Sequence, residues 1–458
     1  MQKTVVIDTV ALNKELLSKM PHLSSFAKKG AIATISPTIP AVTCSIQSTY
    51  LTGKSPNKHG IVANGWYFKD EAEIKFWHQS NKLVQAEKIW EKAKKHHKNF
   101  TCANLFWWYN IYSTVDYSIT PRPMYPADGR KIPDVYTKPS SLRNDIQKEL
   151  GTFPLFSFWG PATSIKASKW IADSALFVDK KYDPTLTLIY LPHLDYCLQK
   201  FGPKSEETRS DLVEIDKVCK GLIDYYRSQN TRIIVLSEYN IMPVKLPIHI
   251  NRILRKNGLL KIREELGREL LDPGASTAFA VSDHQIAHVY INDHKFTKAI
   301  TNLLRNTKGI SAVLDQKGKE KYHLNHPRSG DLIVLADKNS WFTYYYWNND
   351  SKAPDFARTV DIHRKPGFDP TELFIDSNLK FPKLKIAYTL FKKTLGFRTL
   401  LEVTPLNASL VRGSHGIETQ DDNKKPVFIT QTKKLLDKNR IRATDVMDLI
   451  LNHLLIEN

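Results

Sequence analysis

A doubly wound α/β domain built on a mainly parallel sheet is the architecture this sequence predicts, on three observations. The runs TVVIDTVAL, TLTLIYL and RIIVLSEYN are continuously apolar or β-branched, as strands buried on both faces are. The second and third are followed by helical stretches, from Lys204 to Arg227 and from about Pro247 to Asn257, which gives the β-then-α alternation of such a domain. Polar residues close each run, Asp8, Asp195 and Ser237-Glu238-Tyr239, where ligands bind in these sheets.

The elements can be taken in order. After the first strand, PHLSSFAKK reads as a helix ended by Gly30, and AIATISPTI as a second strand. Pro40 then precedes a short helix: Thr43 and Ser45 are N-cap-type residues, SIQSTYL supplies two turns and Gly53 the stop. A hydroxyl there faces free N–H groups and the positive end of the helix dipole, a setting that attracts an anion and lowers the hydroxyl pKa. The aromatic, proline-rich pieces FWWYNIYSTVDYS and ITPRPMYPADGRKIPDVY predict an insertion over 67–160 with its own packing. AHVYI, DLIVLA and WFTYYYW predict a cap or subdomain over 263–361, within one catalytic domain spanning 1–458. Last, KKPVFITQ and ATDVMDLILNHLL read as a strand and an amphipathic helix closing the core.

With 458 residues and 41% hydrophobic residues the chain can bury a large core. It has no apolar run long enough to span a bilayer, and MQKTVVIDTV enters a strand pattern at once, so a cytoplasmic location is expected. Cys44, Cys102, Cys197 and Cys219 are widely spaced, which predicts free thiols and no structural zinc knuckle. A net charge of +19 favours anionic partners. Because the basic residues are dispersed and form no nucleic-acid module, the expected partners are a phosphorylated small molecule, a lipid-linked phosphate or an anionic membrane surface, and no specific nucleic acid.

The segment PTIPAVTCSIQSTYLTGKSPNKHGIVANGW narrows this. Thr43, Thr52-Gly53, Pro56, His59-Gly60-Ile61 and Asn64 resemble the nucleophile region of the nucleotide pyrophosphatase/phosphodiesterase branch of the alkaline phosphatase superfamily. The resemblance implies an alkaline phosphatase-like fold, Thr43 as covalent nucleophile and Asn64 as a contact to the phosphoryl oxygen. It also implies six further ligands for divalent metal ions. Asp8, Asp195 and His415 match that pattern, whereas Gln199 and Tyr239 stand where histidines are expected and Glu238 where Asp is. Trading imidazole for oxygen donors shifts preference from Zn²⁺ toward Mg²⁺ or Mn²⁺. His284 and His363, each near a carboxylate, are candidate replacement ligands, with His363 favoured because it lies nearer the His415 segment in sequence. The expected function is therefore a hydrolase using one or two metal ions (Zn, Mn or Mg) to cleave a phosphodiester, pyrophosphate or phosphonate through a phosphothreonine intermediate. The alternative is a catalytically weakened relative that binds an anionic metabolite or membrane surface.

Overall fold

A computed structural model describes residues 1–455. In chain order its main strands are β1 (Thr4–Thr9), β2 (Ala31–Ser36), β3 (Cys102–Leu105), β4 (Tyr117–Pro121), β5 (Val135–Lys138), β6 (Leu186–Leu191), β7 (Arg232–Leu236), β8 (Ala278–Asp283), β9 (Ile286–Ile291), β10 (Ile310–Leu314), β11 (Leu332–Ala336), β12 (Val427–Thr430) and β13 (Arg440–Arg442). Four helices matter for the site and its surroundings: α1 (Thr43–Thr52), α2 (His193–Phe201), α3 (Thr208–Ser228) and α4 (Pro382–Thr394).

A nine-stranded sheet in the order β13-β2-β12-β7-β1-β6-β3-β4-β5 forms the centre. β1 pairs in parallel with both β6 and β7, so Asp8 lies level with Tyr190 on one side and Leu236 on the other. β12 runs antiparallel to both of its neighbours, β7 and β2, which leaves β2 running the same way as β1. The carboxyl ends of β1, β2, β6 and β7 thus share one edge, and the segments holding Asp8, Thr43, Asp195 and Glu238 all emerge there. The continuous apolar character of these strands has its counterpart in Val5, Val6, Ile7, Leu188, Ile189, Ile233, Ile234 and Val235, all fully buried. Ile165–Tyr182 packs against β6 and α3, and the helix Val446–Leu455 packs against α1.

The 67–160 segment differs from its expectation. It is not separately packed but supplies β3, β4 and β5, which extend the central sheet to its far edge. These strands are only four or five residues long, and β3 and β4 are separated by the left-handed residues Phe106, Tyr109 and Tyr112, so their pattern is hidden by the aromatic loop between them. The 263–361 stretch contains a separate antiparallel sheet, β8-β9-β11-β10, over its own core of Phe279, Val281, Val289, Trp341 and Phe342. The predicted helix from Lys204 to Arg227 begins later, at Thr208, and α2 precedes it.

Candidate active site

Thr43 is the first residue of α1, not its cap. Val42 takes the N-cap position with extended backbone (φ −130°, ψ 153°) and makes no side-chain capping bond. Thr43 therefore does not spend its hydroxyl on its own helix. Its Oγ1 lies 2.9 Å from the Tyr239 hydroxyl, which donates to Asp195 Oδ1 at 3.1 Å. With the phenol donating onward, Thr43 is the donor to Tyr239, and the three groups form a directed chain from hydroxyl to carboxylate. Burial raises Asp195 to about 7, poising it to accept a proton near neutrality, and burial also holds the Tyr239 phenol well above its ordinary value. Gln199 Nε2 donates to the other Asp195 oxygen at 2.7 Å, which leaves the Gln199 carbonyl oxygen without a donor.

One turn along α1, Gln47 faces the same way as Thr43 and joins two elements. Its Nε2 donates to Glu238 Oε1 at 2.6 Å, and its Oε1 accepts from the Trp108 backbone N–H at 2.7 Å. The family pattern does not point to Gln47, but its i+4 spacing from Thr43 is a signal the sequence carries. Asp8 and Glu238 are fully buried neighbours. Burial pushes Asp8 up to about 7, and burial with the charge of Asp8 raises Glu238 well above the carboxylate range. Asp8 lies within hydrogen-bonding reach of Glu238 and Gln47, so a proton retained by the Asp8–Glu238 pair bridges them, and beyond these neither Asp8 oxygen nor Glu238 Oε2 has a donor.

The late and middle parts of the chain meet at the histidines. His415 Nδ1 is 2.8 Å from the Ala41 carbonyl, so it donates there, and its Nε2 lone pair faces Asp195 Oδ1 at 3.6 Å. Its ring stacks on Tyr239 at 3.7 Å. His284 sits at the tip of the β8–β9 hairpin with φ +59°, a left-handed backbone uncommon for a side-chain-bearing residue. That turn carries its ring to 3.7 Å from His415 and 3.6 Å from Phe368. Asp283 Oδ1 holds His284 Nδ1 at 2.7 Å, a carboxylate contact that fixes the imidazole with Nε2 free. Burial keeps both imidazoles well below their ordinary pKa, hence neutral, and both Nε2 atoms lack a partner. Gly416 is required here: its φ is +128°, and a Cβ would meet the Gln285 backbone nitrogen at 3.1 Å.

Asn64 reaches the helix start from its own loop. Its Oδ1 accepts from the Cys44 backbone N–H at 2.9 Å, while its backbone and side-chain N–H groups donate to Asp283 at 2.7 and 3.1 Å. Asn64 thus ties α1 to the hairpin that bears His284.

Of the candidate site residues, the structure joins Thr43, Asp195, Gln199, Tyr239, His284 and His415 in one contact network. Asp8 and Glu238 form a second group, linked to α1 by Gln47. His363, favoured over His284 on sequence distance, is exposed on the wall of the cavity described below and hydrogen-bonds the Phe76 backbone, outside that network. Sequence distance misleads because the hairpin tip, not the segment nearest in the chain, folds onto His415. The only trio of His, Cys, Asp or Glu ligand atoms mutually within 4.8 Å among the described residues lies elsewhere, at His193, Asp211 and Glu214. Arg328, a candidate phosphate clamp by chemistry, is spent on the Gly60 and Leu83 carbonyls at 2.8 Å each.

Buried acceptors without donors call for a cation. Asp8 Oδ1 and Oδ2, Glu238 Oε2, Gln199 Oε1 and the Nε2 atoms of His284 and His415 are all in that condition. These atoms fall in the two groups above, and among the described residues no three His, Asp or Glu ligand atoms of theirs lie mutually within 4.8 Å, so each group offers oxygen or imidazole donors to a divalent ion without forming a closed site. His284→Ala is expected to lower bound metal by roughly 10-fold with the fold intact, whereas His363→Ala leaves it unchanged. Metal titration of the two purified variants reads this directly, and an effect confined to His363 would reverse the assignment.

Thr43, Asp195, His284 and His415 line one end of a cavity of about 1460 Å³. Trp77, Trp108, Trp159 and Phe368 line it as well, with Trp77 and Trp108 rings 4.9 Å apart and Trp159 and Phe368 5.6 Å apart. Such a wall suits an aromatic or aliphatic group attached to a phosphate.

A mainly parallel sheet with a hydroxyl-bearing helix start and a cluster of carboxylates and imidazoles at its carboxyl edge defines an alkaline phosphatase-like architecture. The type I phosphodiesterase/nucleotide pyrophosphatase profile matches residues 4–369, and the chain belongs to that family. An uncharacterised pyrophosphatase/phosphodiesterase of Schizosaccharomyces pombe is 26% identical over 234 residues, which are 49% of this chain and 41% of that protein. The match thus spans less than half the length of that curated relative. Among solved structures, murine ectonucleotide pyrophosphatase/phosphodiesterase 5, an inactive form in complex with AMP, superposes with a TM-score of 0.61 at 14% identity, covering 100% of this chain and 96% of that one. Phosphonoacetate hydrolase of Sinorhizobium meliloti, in complex with phosphonoformate, gives 0.62 at 13% identity, covering 99% and 96%. At these identities the two structures establish a shared fold.

Proposed function

We propose that this protein is a divalent-cation-dependent phosphoesterase in which Thr43 is the nucleophile, acting on a phosphodiester, pyrophosphate or phosphonate. The observation that carries this reading is the chain from Thr43 through Tyr239 to Asp195 at the end of an aromatic-walled cavity. Thr43 Oγ1 attacks phosphorus as its proton passes to the Tyr239 oxygen and the phenol proton passes to Asp195. The bond to the leaving group breaks, giving a phosphothreonine, and the leaving group occupies the aromatic part of the cavity. Water then attacks the phosphothreonine, and the proton returns along the same chain to Thr43. Asn64, which anchors the Cys44 N–H, keeps the helix start in register for both steps. Asp8 and Glu238, and Gln199 with His284 and His415, are the groups that would hold one or two cations, while Tyr239 and Asp195 carry the proton. The cation supplies charge neutralisation at the phosphoryl oxygens. The preference of such oxygen donors is for Mg²⁺ or Mn²⁺ over Zn²⁺.

The phosphorylated substrate is a small molecule or a lipid-linked phosphate, by the +19 charge and the apolar cavity. The four cysteines are free and buried, as suits the reducing cytoplasm. One observation favours a second reading, a weakened relative that only binds its anion: the Tyr239 hydroxyl already satisfies Thr43 and Asp195. An assay with an aryl phosphodiester, an aryl phosphomonoester, a nucleoside triphosphate and a phosphonate, each with Mg²⁺, Mn²⁺ and Zn²⁺, separates the two. Turnover of the diester faster than the monoester is expected, because the cavity has room for a second ester group. No turnover of any of the four, with no metal retained on purification, would establish the binding protein instead.

A further inference from the structure

α4 is apolar on two opposite faces, and only one of them is used. Ile386, Leu390, Lys393 and Thr394, spaced i, i+4, i+7 and i+8, line the cavity that ends at Thr43. Leu384, Tyr388, Phe391 and Leu395, spaced i, i+4, i+7 and i+11, point the other way and are 67, 59, 60 and 59% exposed. Phe381 just before the helix and Phe397 just after it, at 69 and 60%, continue that surface. A contiguous patch of this kind is not what a free surface carries without a partner.

The charge around it identifies the partner. Between Asp376 and Glu402 there are six basic residues, Lys380, Lys383, Lys385, Lys392, Lys393 and Arg398, and no acidic one. Lys385 and Lys392 flank the apolar stripe on one side and Lys383 on the other, by helical spacing, and the Lys392 ammonium lies 4.5 Å from the Tyr388 ring centre. A second copy of this chain would set this basic rim against itself, since a two-fold interface pairs a patch with the same patch. An anionic bilayer offers both complements at once, acyl chains for the apolar stripe and phosphates for the lysines. No helix among the described residues is long and apolar enough to cross a membrane, so the contact lies in the interface plane.

We propose that α4, with its flanking Phe381 and Phe397, docks this protein on an anionic lipid bilayer. Its inner face then borders the cavity at the level of the lipid phosphates, on the side from which an amphiphilic substrate would enter.

The test is co-sedimentation of the full chain with vesicles of phosphatidylcholine alone and of phosphatidylcholine with about a third phosphatidylglycerol. Binding to the anionic vesicles is expected, weakened by salt, with little binding to the neutral ones. Leu384→Ser with Phe391→Ser, and separately Lys385→Glu with Lys392→Glu, should each weaken that binding at least about 10-fold, with the thermal melt retained because all four side chains lie on the helix surface. Thr43→Ala should bind as the unaltered chain does, which keeps this result independent of the hydrolase reading. Equal binding to both vesicle types, none to either, or anionic binding that both double variants keep would overturn the proposal. So would sedimentation showing a dimer that the Leu384 and Phe391 substitutions dissociate, with vesicle binding absent.

Discussion

Thr43→Ala is expected to abolish turnover of an aryl phosphodiester, by on the order of 10³-fold or more, because no other hydroxyl sits at the head of the chain through Tyr239 to Asp195. Stability should barely move. The substitution deletes one buried hydroxyl whose net hydrogen-bond contribution is about 1 kcal/mol, and Tyr239 keeps its bond to Asp195. Thr43→Ser should retain part of the rate, since the nucleophilic oxygen stays at the helix start and only a methyl group is lost. Intact-mass measurement during turnover should show a phosphoryl adduct in the parent chain and none in Thr43→Ala. Activity in the Ala variant equal to that of the parent would end the covalent mechanism.

Stripping the protein with chelator should produce an effect of similar size, with a pH signature of its own. Asp8 and Asp195 are held at about 7 and Asp283 at about 6, with Glu238 raised as well, all chiefly by burial. Native carboxyls with raised pKa bind more protons than they do unfolded, so stability must fall as pH rises from the ordinary carboxylate range through about 7. The metal-free melting temperature is therefore expected to decline over that window. A cation takes the place of the missing protons, so Mn²⁺ or Mg²⁺ at about pH 8 should recover both the melt and the turnover, at least as well as Zn²⁺. Asp8→Asn removes one of the rising carboxyls and two free oxygens. It should flatten the decline and abolish the recovery. Restoration by Zn²⁺ alone would refute the oxygen-donor argument and point to the imidazoles of His284 and His415 as the dominant ligands.

Much of the fold was readable because its central strands are buried on both faces, and continuous apolar runs report that directly. β1, β6 and β7 lie where TVVIDTVAL, TLTLIYL and RIIVLSEYN predict them. Gly53 ends α1 in the left-handed conformation its position after SIQSTYL implies. β3 to β5 were not readable. A four-residue strand has too few alternations to stand out, and the aromatic residues around β3 fill core positions whatever the element that carries them.

The sequence by itself determined the kinds of groups available, a hydroxyl at a helix start, carboxylates after successive strands and a late His-Gly, because these follow from local spacing and composition. Which of them meet was decided by tertiary structure alone. The left-handed turn at His284 throws a residue from the middle of the chain onto His415, while His363, nearer in sequence, lines the same cavity without joining that contact. Tyr239 is an anomaly in the linear pattern, yet in space its hydroxyl joins Thr43 to Asp195. Gln47 acquires its role only because Glu238 and the Trp108 backbone arrive on either side of it. Contacts between residues far apart in the chain depend on how hairpins and loops close over the sheet edge, and no local pattern encodes that closure.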